Sequence, residues 1–332
     1  MTFLAGAVLA AAAAAPPAAP AAGAPDWYKA VASVHWVVRD LEAARRGWRK
    51  LGFPALVDFG DVELPATVRG QGTSARLRVS MAVMDGLQVY WLQPLDATGP
   101  YADFLKEHGD GVFSLNHTAP TLAALEAEVA RLQALGVPVL QRVEVDTDSG
   151  PLRIVHMDTA AAGKYVLGLV YGHPPGAGAT APAPPFPVKR TQFAFVAKDL
   201  KAVSSFWARL GLPALTLDHP ALRDRLYHGQ PAAFDQELGW QRHGSVAYEW
   251  IRSLAGPTIY DDFTTAHGEG LHHIAFEVGD LDQAAAAWKE SGFEVVQSGA
   301  WGDAGQPGSG RYAYVDATGA GGVYVELLSV QR

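Results

Sequence analysis

Gln192, Glu249, His273 and Glu326 stand in stretches whose alternation of apolar and polar residues predicts β-strands that should be buried. Successive strand side chains face opposite ways, so each face can be read by counting in twos. In 272–278, His272, Ile274, Phe276 and Val278 share a mostly apolar face expected under a helix, and His273 and Ala275 point away from it. In 192–196, Phe193 and Phe195 take the helix side and Gln192 the opposite side. Tyr248 and Trp250 oppose Glu249 in the same way, and Val323, Val325 and Leu327 oppose Glu326. An imidazole, two carboxylates and an amide oxygen are donor types that suit Zn²⁺, Ni²⁺, Mn²⁺ or Fe²⁺. Two buried carboxylates without a cation would repel each other and take up protons. The alternative is four isolated polar residues, since a lone strand histidine is more often structural. Their coincidence on one face weighs against that reading.

The elements that must position these groups come from an internal repeat. SVHWVVRDLEAARRGWRKLGFPAL (33–56) overlies QFAFVAKDLKAVSSFWARLGLPAL (192–215) without a gap at an offset of 159, matching Asp40 to Asp199, Trp48 to Trp207 and Gly52 to Gly211. At that offset the stretch from Tyr101 to Gly111 overlies that from Tyr260 to Gly270. A repeat of this length means a duplicated domain. Each copy divides again: QFAFVAKDL (192–200) is echoed 81 residues on by HIAFEVGDL (273–281), and SVHWVVRDL (33–41) by the weaker SLNHTAPTL (114–122). Asp40, Thr121, Asp199 and Asp280 stand where helix N-caps belong. Behind Asp199, Leu200, Val203, Trp207 and Leu210 recur at helical spacing before Gly211, and strand-like runs with turns follow each helix. The reading is α+β: a βαβββ module four times over.

The totals bound the rest. A chain of 332 residues suggests about two domains. Net charge of −8 and the lack of Lys/Arg clusters argue against nucleic acid or an anionic membrane as partner. Without cysteine there is no disulfide, thiolate ligand or Cys nucleophile. Residues 1–26, rich in Ala and Pro, read as a secretory signal or as a disordered tail, so the protein is expected to be exported or, failing that, cytoplasmic. No other stretch is expected to span a membrane. HPPGAGATAPAPPFP (173–187) reads as a linker between domains at 27–172 and 188–332.

The stretch YEWIRSLAGPTIYDDFTTAHGEGLHHIAFEVGDL (248–281), followed by GGVYVELLS (321–329), resembles the vicinal oxygen chelate superfamily of glyoxalases, bleomycin resistance proteins and extradiol dioxygenases. The resemblance covers roughly 30–330. It implies two domains of curled mixed sheet with flanking helices, each made of two paired modules, with one metal ligand on the first and one on the last strand of each module. Carried over by position, the ligands are Gln192, Glu249, His273 and Glu326, and the cofactor is a divalent ion, Zn²⁺ foremost. At the same positions the first domain has Ser33, Tyr90, Ser114 and either Leu167 or Gly168, none a good ligand. His35, Gln88 and Tyr90 would line the first cup, as an organic-ligand pocket or as a degenerate cavity. His117 falls on the opposite face from Ser114.

The ligand set most resembles the zinc form of glyoxalase I, a lyase, which implies Glu326 as the main base and Glu249 as its partner across the metal. The 248–281 segment is equally similar to methylmalonyl-CoA epimerase, an isomerase that usually has His at the first ligand position. Residues that would bind glutathione or CoA are not identifiable. An extradiol dioxygenase needs two His and one Glu, and Gln192 takes the place of the first His. A non-catalytic binder like the antibiotic-sequestering members is the contrasting class. The expected partner is a small-molecule substrate, with the two domains paired in a monomer or the chain forming a homodimer.

Overall fold

Each of the four expected capping residues closes a helix start in the computed structural model of the chain, which describes residues 23–148, 150–172, 179–180 and 188–332. Asp40, Thr121, Asp199 and Asp280 accept from the backbone N–H groups of Ala43, Ala124, Ala202 and Gln283. Each cap satisfies one amide that the first helical turn would otherwise leave unpaired. The tail and linker expected at 1–26 and 173–187 lie almost wholly outside the described residues. Ala24, counted with the tail, donates its N–H to the Gly211 carbonyl and packs on the core.

The first domain comprises β1 (Ser33–Val37), α1 (Leu41–Lys50), β2 (Val57–Val68), β3 (Gln71–Met84), β4 (Leu87–Pro94), α2 (Pro100–His108), β5 (Gly111–Thr118), α3 (Leu122–Ala134), β6 (Val139–Thr147), β7 (Gly150–Met157), α4 (Ala160–Gly163) and β8 (Val166–Tyr171). The second comprises β9 (Val188–Val196), α5 (Leu200–Arg209), β10 (Thr216–Asp218), β11 (Leu222–Tyr227), β12 (Gln230–Pro231), β13 (Asp235–His243), β14 (Val246–Ala255), α6 (Ile259–His267), β15 (Gly270–Val278), α7 (Leu281–Glu290), β16 (Val295–Trp301), β17 (Gly310–Ala317) and β18 (Val323–Val330). The expected βαβββ order recurs twice in each domain with additions: α4 precedes β8, the first strand after α5 is split into β10 and β11 with the short β12 following, and α2 and α6 lie between modules.

The first domain closes into a barrel, β1-β4-β3-β2-β6-β7-β8-β5, through β2 pairing with β6. The second is a ten-stranded sheet, β10-β13-β14-β9-β15-β18-β17-β16-β11-β12. The difference lies in one stretch. Residues 57–68 form unbroken β2, while their repeat equivalents, 216–227, are interrupted beside Pro220, a residue without an N–H to donate. The two pieces then part: β10 pairs with β13, and β11 crosses to β16. In both domains the first and last strands of a module pair in parallel, and the first strands of the two modules pair antiparallel. The four strands expected to carry ligands are therefore contiguous, as β14-β9-β15-β18.

The helix-covered faces of both domains merge into one core that includes Trp36, Trp48 and Trp91 of the first domain and Trp207, Trp250 and Trp288 of the second. Phe53 stacks on Phe276 at 5.5 Å, and Tyr165 on Trp207 at 4.6 Å. Trp36 Nε1 of β1 donates to the Gly321 carbonyl and Trp207 Nε1 of α5 to that of Gly163, so indoles from two different elements bridge the domains. The repeat makes this junction nearly two-fold. His108 Nδ1 lies 2.8 Å from the His267 carbonyl, and His267 Nδ1 2.6 Å from that of His108. Close approach here depends on glycine: a Cβ on Gly47 of α1 would sit 2.3 Å from the Ala320 Cβ. Gly47→Val is expected to destabilise the chain by about 1–3 kcal/mol, through overpacking. Chemical denaturation would read this, and an unchanged midpoint would mean that the junction yields freely. Among the described residues no helix is long and apolar enough to cross a membrane.

Candidate metal centre

Strand register brings the four predicted ligands together around two alanines. Glu249 on β14 and His273 on β15 both pair with Ala194 of β9, and Gln192 of β9 and Glu326 of β18 both pair with Ala275 of β15. Methyl groups at the two intervening positions leave room for the longer side chains to lean inward. The side chains are buried, with exposures of 7% for Gln192, 5% for Glu249, 0% for His273 and 4% for Glu326. Donor atoms of Glu249, His273 and Glu326 all lie within 4.8 Å of one another.

The contacts fit a cation better than they fit each other. His273 Nε2 is 3.4 Å from Glu249 Oε2 and 3.2 Å from Glu326 Oε2, yet it is buried without a contact of hydrogen-bond geometry. Gln192 Nε2 donates to Glu249 Oε2 at 2.8 Å and to Glu326 Oε2 at 3.2 Å, a positive dipole end at the point where the two carboxylates meet. Turning the amide over would present its oxygen instead, which gives a donor set of one nitrogen and three oxygens. Burial pushes the Glu249 carboxyl up, and neighbouring Glu326 adds to this against the pull of His273 and Gln192. For His273, burial alone would favour the neutral ring, but the Glu326 and Glu249 carboxylates outweigh it and hold the imidazole at about 9. A divalent cation would relieve both strains, so the residues fit such an ion.

One expectation is corrected. His272 does not turn into the helix-covered core. Pairing with β9 slips between Leu271 and His273, because Leu271 faces Phe195 and His273 faces the next residue, Ala194. The bulge places two consecutive residues opposite one partner position and breaks the count of twos. His272 instead stacks on Tyr324 at 4.7 Å, and its Nδ1 lies 2.8 Å from Nδ1 of His273. It thus orients the candidate ligand from behind. Tyr260 and Tyr314, whose hydroxyls are 2.8 Å apart, complete the aromatic wall, with the Tyr314 ring edge-on to His273 at 4.9 Å. The sequence reading passed over both tyrosines. Tyr314 precedes the final strand in a stretch, RYAYVDA, whose alternation carried the signal.

Above the glutamates the sheet opens into a cleft of about 370 Å³, walled by Trp240, Trp301, Tyr312 and Leu222. The interrupted strand segment supplies Asp218 and Pro220 to its rim.

The sequence profile described as Glyoxalase/Bleomycin resistance protein/Dioxygenase superfamily matches residues 33–151 and 191–314. The chain belongs to this superfamily. Its fold is similar to that of a mutant 4-hydroxymandelate synthase from Streptomyces coelicolor, at 15% identity and TM-score 0.61 over 90% of this chain and 92% of that one. It is also similar to a xylose isomerase-like TIM barrel/4-hydroxyphenylpyruvate dioxygenase fusion protein, at 13% identity and TM-score 0.53, over 96% of this chain and 51% of that one. A Mn(II)-bound glyoxalase from Novosphingobium aromaticivorans aligns at 14% identity and TM-score 0.49 over 91% of this chain and 82% of that one. At such identities the likeness is one of fold. None of the curated proteins matches the chain.

In this superfamily member the two domains hold different floors. The second match ends at residue 314, so the placement of Glu326 rests on strand register rather than on the profile. In the first domain Asn116 pairs with Gly168 as Ala275 does with Glu326, which settles Gly168 over Leu167 as the fourth position. Ser33, Tyr90, Ser114 and Gly168 therefore occupy the ligand positions, and no three metal-ligating residues converge there among the described residues. His35 and Tyr90 line the barrel cavity, whereas Gln88, expected beside them, does not, its Oε1 lying 3.5 Å from the Tyr90 hydroxyl. His117 turns to the core, its Nδ1 2.8 Å from the Ala30 carbonyl.

Proposed function

We propose that the second-domain cup is a metal-dependent active site that moves a proton on a substrate with vicinal oxygens, as a lyase or isomerase of the glyoxalase I or epimerase kind. The observation that carries this reading is the donor set: two buried carboxylates and one imidazole converge on one point beneath an open cleft. A bound divalent ion would act there as a Lewis acid toward the substrate oxygens. Gln192, Glu249, His273 and Glu326 would hold it. Both glutamates also line the cleft, so each can reach a substrate carbon. Glu326 is assigned the proton abstraction and Glu249 its return on the opposite side. Trp240, Trp301 and Tyr312 favour a substrate with an apolar body and keep water from the reacting carbon.

A second reading, an iron dioxygenase, is supported by the superfamily's own description, which includes dioxygenases, although His272 lies behind His273 and outside the donor cluster, so the cup offers one imidazole. Elemental analysis of the natively purified chain, followed by a screen with α-ketoaldehyde–thiol adducts in deuterium oxide, separates the readings. About one divalent ion per chain and deuterium incorporation at carbon are expected. Iron with oxygen uptake on a catechol would replace the proposal by the dioxygenase. Absence of a bound metal would leave a binding protein. Export remains part of the proposal, and detection of the protein with its first residues removed, outside the cytoplasm, tests it.

A further inference from the structure

The first barrel carries its polar groups on the positions that the second domain gives to alanine. His35 takes the place of Ala194, between Tyr90 and Ser114, and Asn116 takes that of Ala275, between Ser33 and Gly168. This is a substituted floor rather than an emptied one. Ser114 Oγ donates to Asn116 Oδ1 at 2.9 Å, Asn116 Nδ2 to Ser33 Oγ at 3.3 Å, and His156 Nε2 lies 3.2 Å from His35 Nδ1. Gly168 is what admits the amide, since a Cβ there would fall 1.7 Å from Asn116 Oδ1. Such a chain costs stability where a polar atom is left unpaired, and here His156 Nδ1 is buried without a partner.

Over this floor the barrel holds a partly open cavity of about 150 Å³. Its walls are mostly apolar, including Phe59, Leu64, Val79 and Ile154, with Tyr90, Tyr101 and Thr147 among them, and no charged side chain lines it among the described residues. Ser33 and His35 face it from β1. His35 is 6% exposed, and with Nδ1 engaged by His156 its Nε2 makes no hydrogen bond among the described residues. Burial pushes both imidazoles down, His35 to about 4, so each is neutral at pH 7 and has one donor and one acceptor nitrogen. His156 Nδ1 is buried without a partner, and a bare acceptor costs less there than a bare N–H. That assigns the shared proton to His156 Nε2 and leaves His35 Nε2–H as an unused donor on the cavity wall.

We propose that the first domain is a metal-free binding site for an uncharged, single-ring organic molecule bearing a carbonyl or similar acceptor, which takes the hydrogen bond of His35 Nε2–H. An apolar cavity of this size holds a benzene-sized body. The missing countercharge excludes anions and cations. The site stands apart from the metal centre and does not depend on the activity assigned there.

Calorimetric titration of the full chain with acetophenone and ethylbenzene, equal in shape except for the carbonyl, tests the assignment. One equivalent of acetophenone is expected to bind about tenfold more tightly than ethylbenzene, the contribution of one buried hydrogen bond. His35→Phe is expected to bring the two within about twofold, and His35→Gln, which keeps a donor, to retain most of the preference. Val79→Trp, which fills the barrel, is expected to remove both. No saturable binding, an unchanged preference in His35→Phe, or binding that survives Val79→Trp would each overturn the proposal. Should Val79→Trp fail to fold, the two His35 variants decide the matter.

Discussion

Glu326→Gln is expected to lower the turnover of the second domain by about a hundred- to ten-thousand-fold, the range that a positioned general base supplies. The amide is isosteric with the carboxylate and offers an oxygen to a metal, so bound metal and thermal midpoint should stay close to those of the parent. Single-turnover kinetics with deuterated substrate would separate loss of proton abstraction from loss of binding. Turnover within threefold of the parent would remove Glu326 as the base. Glu249→Gln is expected to fall less far, because it returns the proton rather than removing it. An equal or larger loss at Glu249 would reverse the two assignments.

Raising pH is expected to loosen the metal-free chain and tighten its hold on metal. The His273 imidazole is held at about 9 in the folded chain, against an ordinary value of 6.5. A raised folded pKa contributes stability that is fully present below 6.5 and lost as pH climbs toward 9. For a buried group shifted this far the loss is on the order of 3 kcal/mol. Glu249, also raised by burial, acts in the same direction. Metal binding needs the ring deprotonated, so apparent affinity should climb about tenfold per pH unit until His273 has titrated. Urea denaturation of chelator-treated protein at pH 6.5 and 8.5, paired with Zn²⁺ competition at the same values, reads both slopes. His273→Gln should flatten the two curves together, and a flat parent curve would show that the carboxylates do not charge the ring.

Much of this arrangement was legible in the chain because β-structure repeats every two residues and the chain repeats itself. Counting faces placed Gln192, Glu249, His273 and Glu326 on one surface, and the 159-residue offset supplied a control in which those positions were empty. The count failed where pairing is irregular. At His272 the extra residue belongs to the register between β15 and β9, and the periodicity of β15 alone cannot show it. The 159-residue offset also fails after a deletion, which left Leu167 and Gly168 unresolved until the pairing of β5 with β8 fixed the choice. His156 was passed over for another reason. Its partners His35 and Ser114 are 121 and 42 residues away, and nothing local marks it. Asn116 lies two residues from Ser114 and aligns with Ala275, so its change from a small apolar to a polar residue is visible in the repeat.

The interruption at Pro220 has a consequence for how the molecule behaves in company. The barrel of the first domain closes where β2 meets β6 over Ala66–Val68, whereas the ten-stranded sheet of the second domain ends in two free edges, at β10 and β12. Free edges invite other chains to add strands and are a common origin of aggregation. Both edges are blunted: β10 is three residues long and stops short of Pro220, and β12 is two residues long and ends in Pro231. The prolines that keep the cleft from sealing thus also keep its rim from recruiting neighbours, so a substitution that restored a continuous strand at 216–227 would trade solubility for closure.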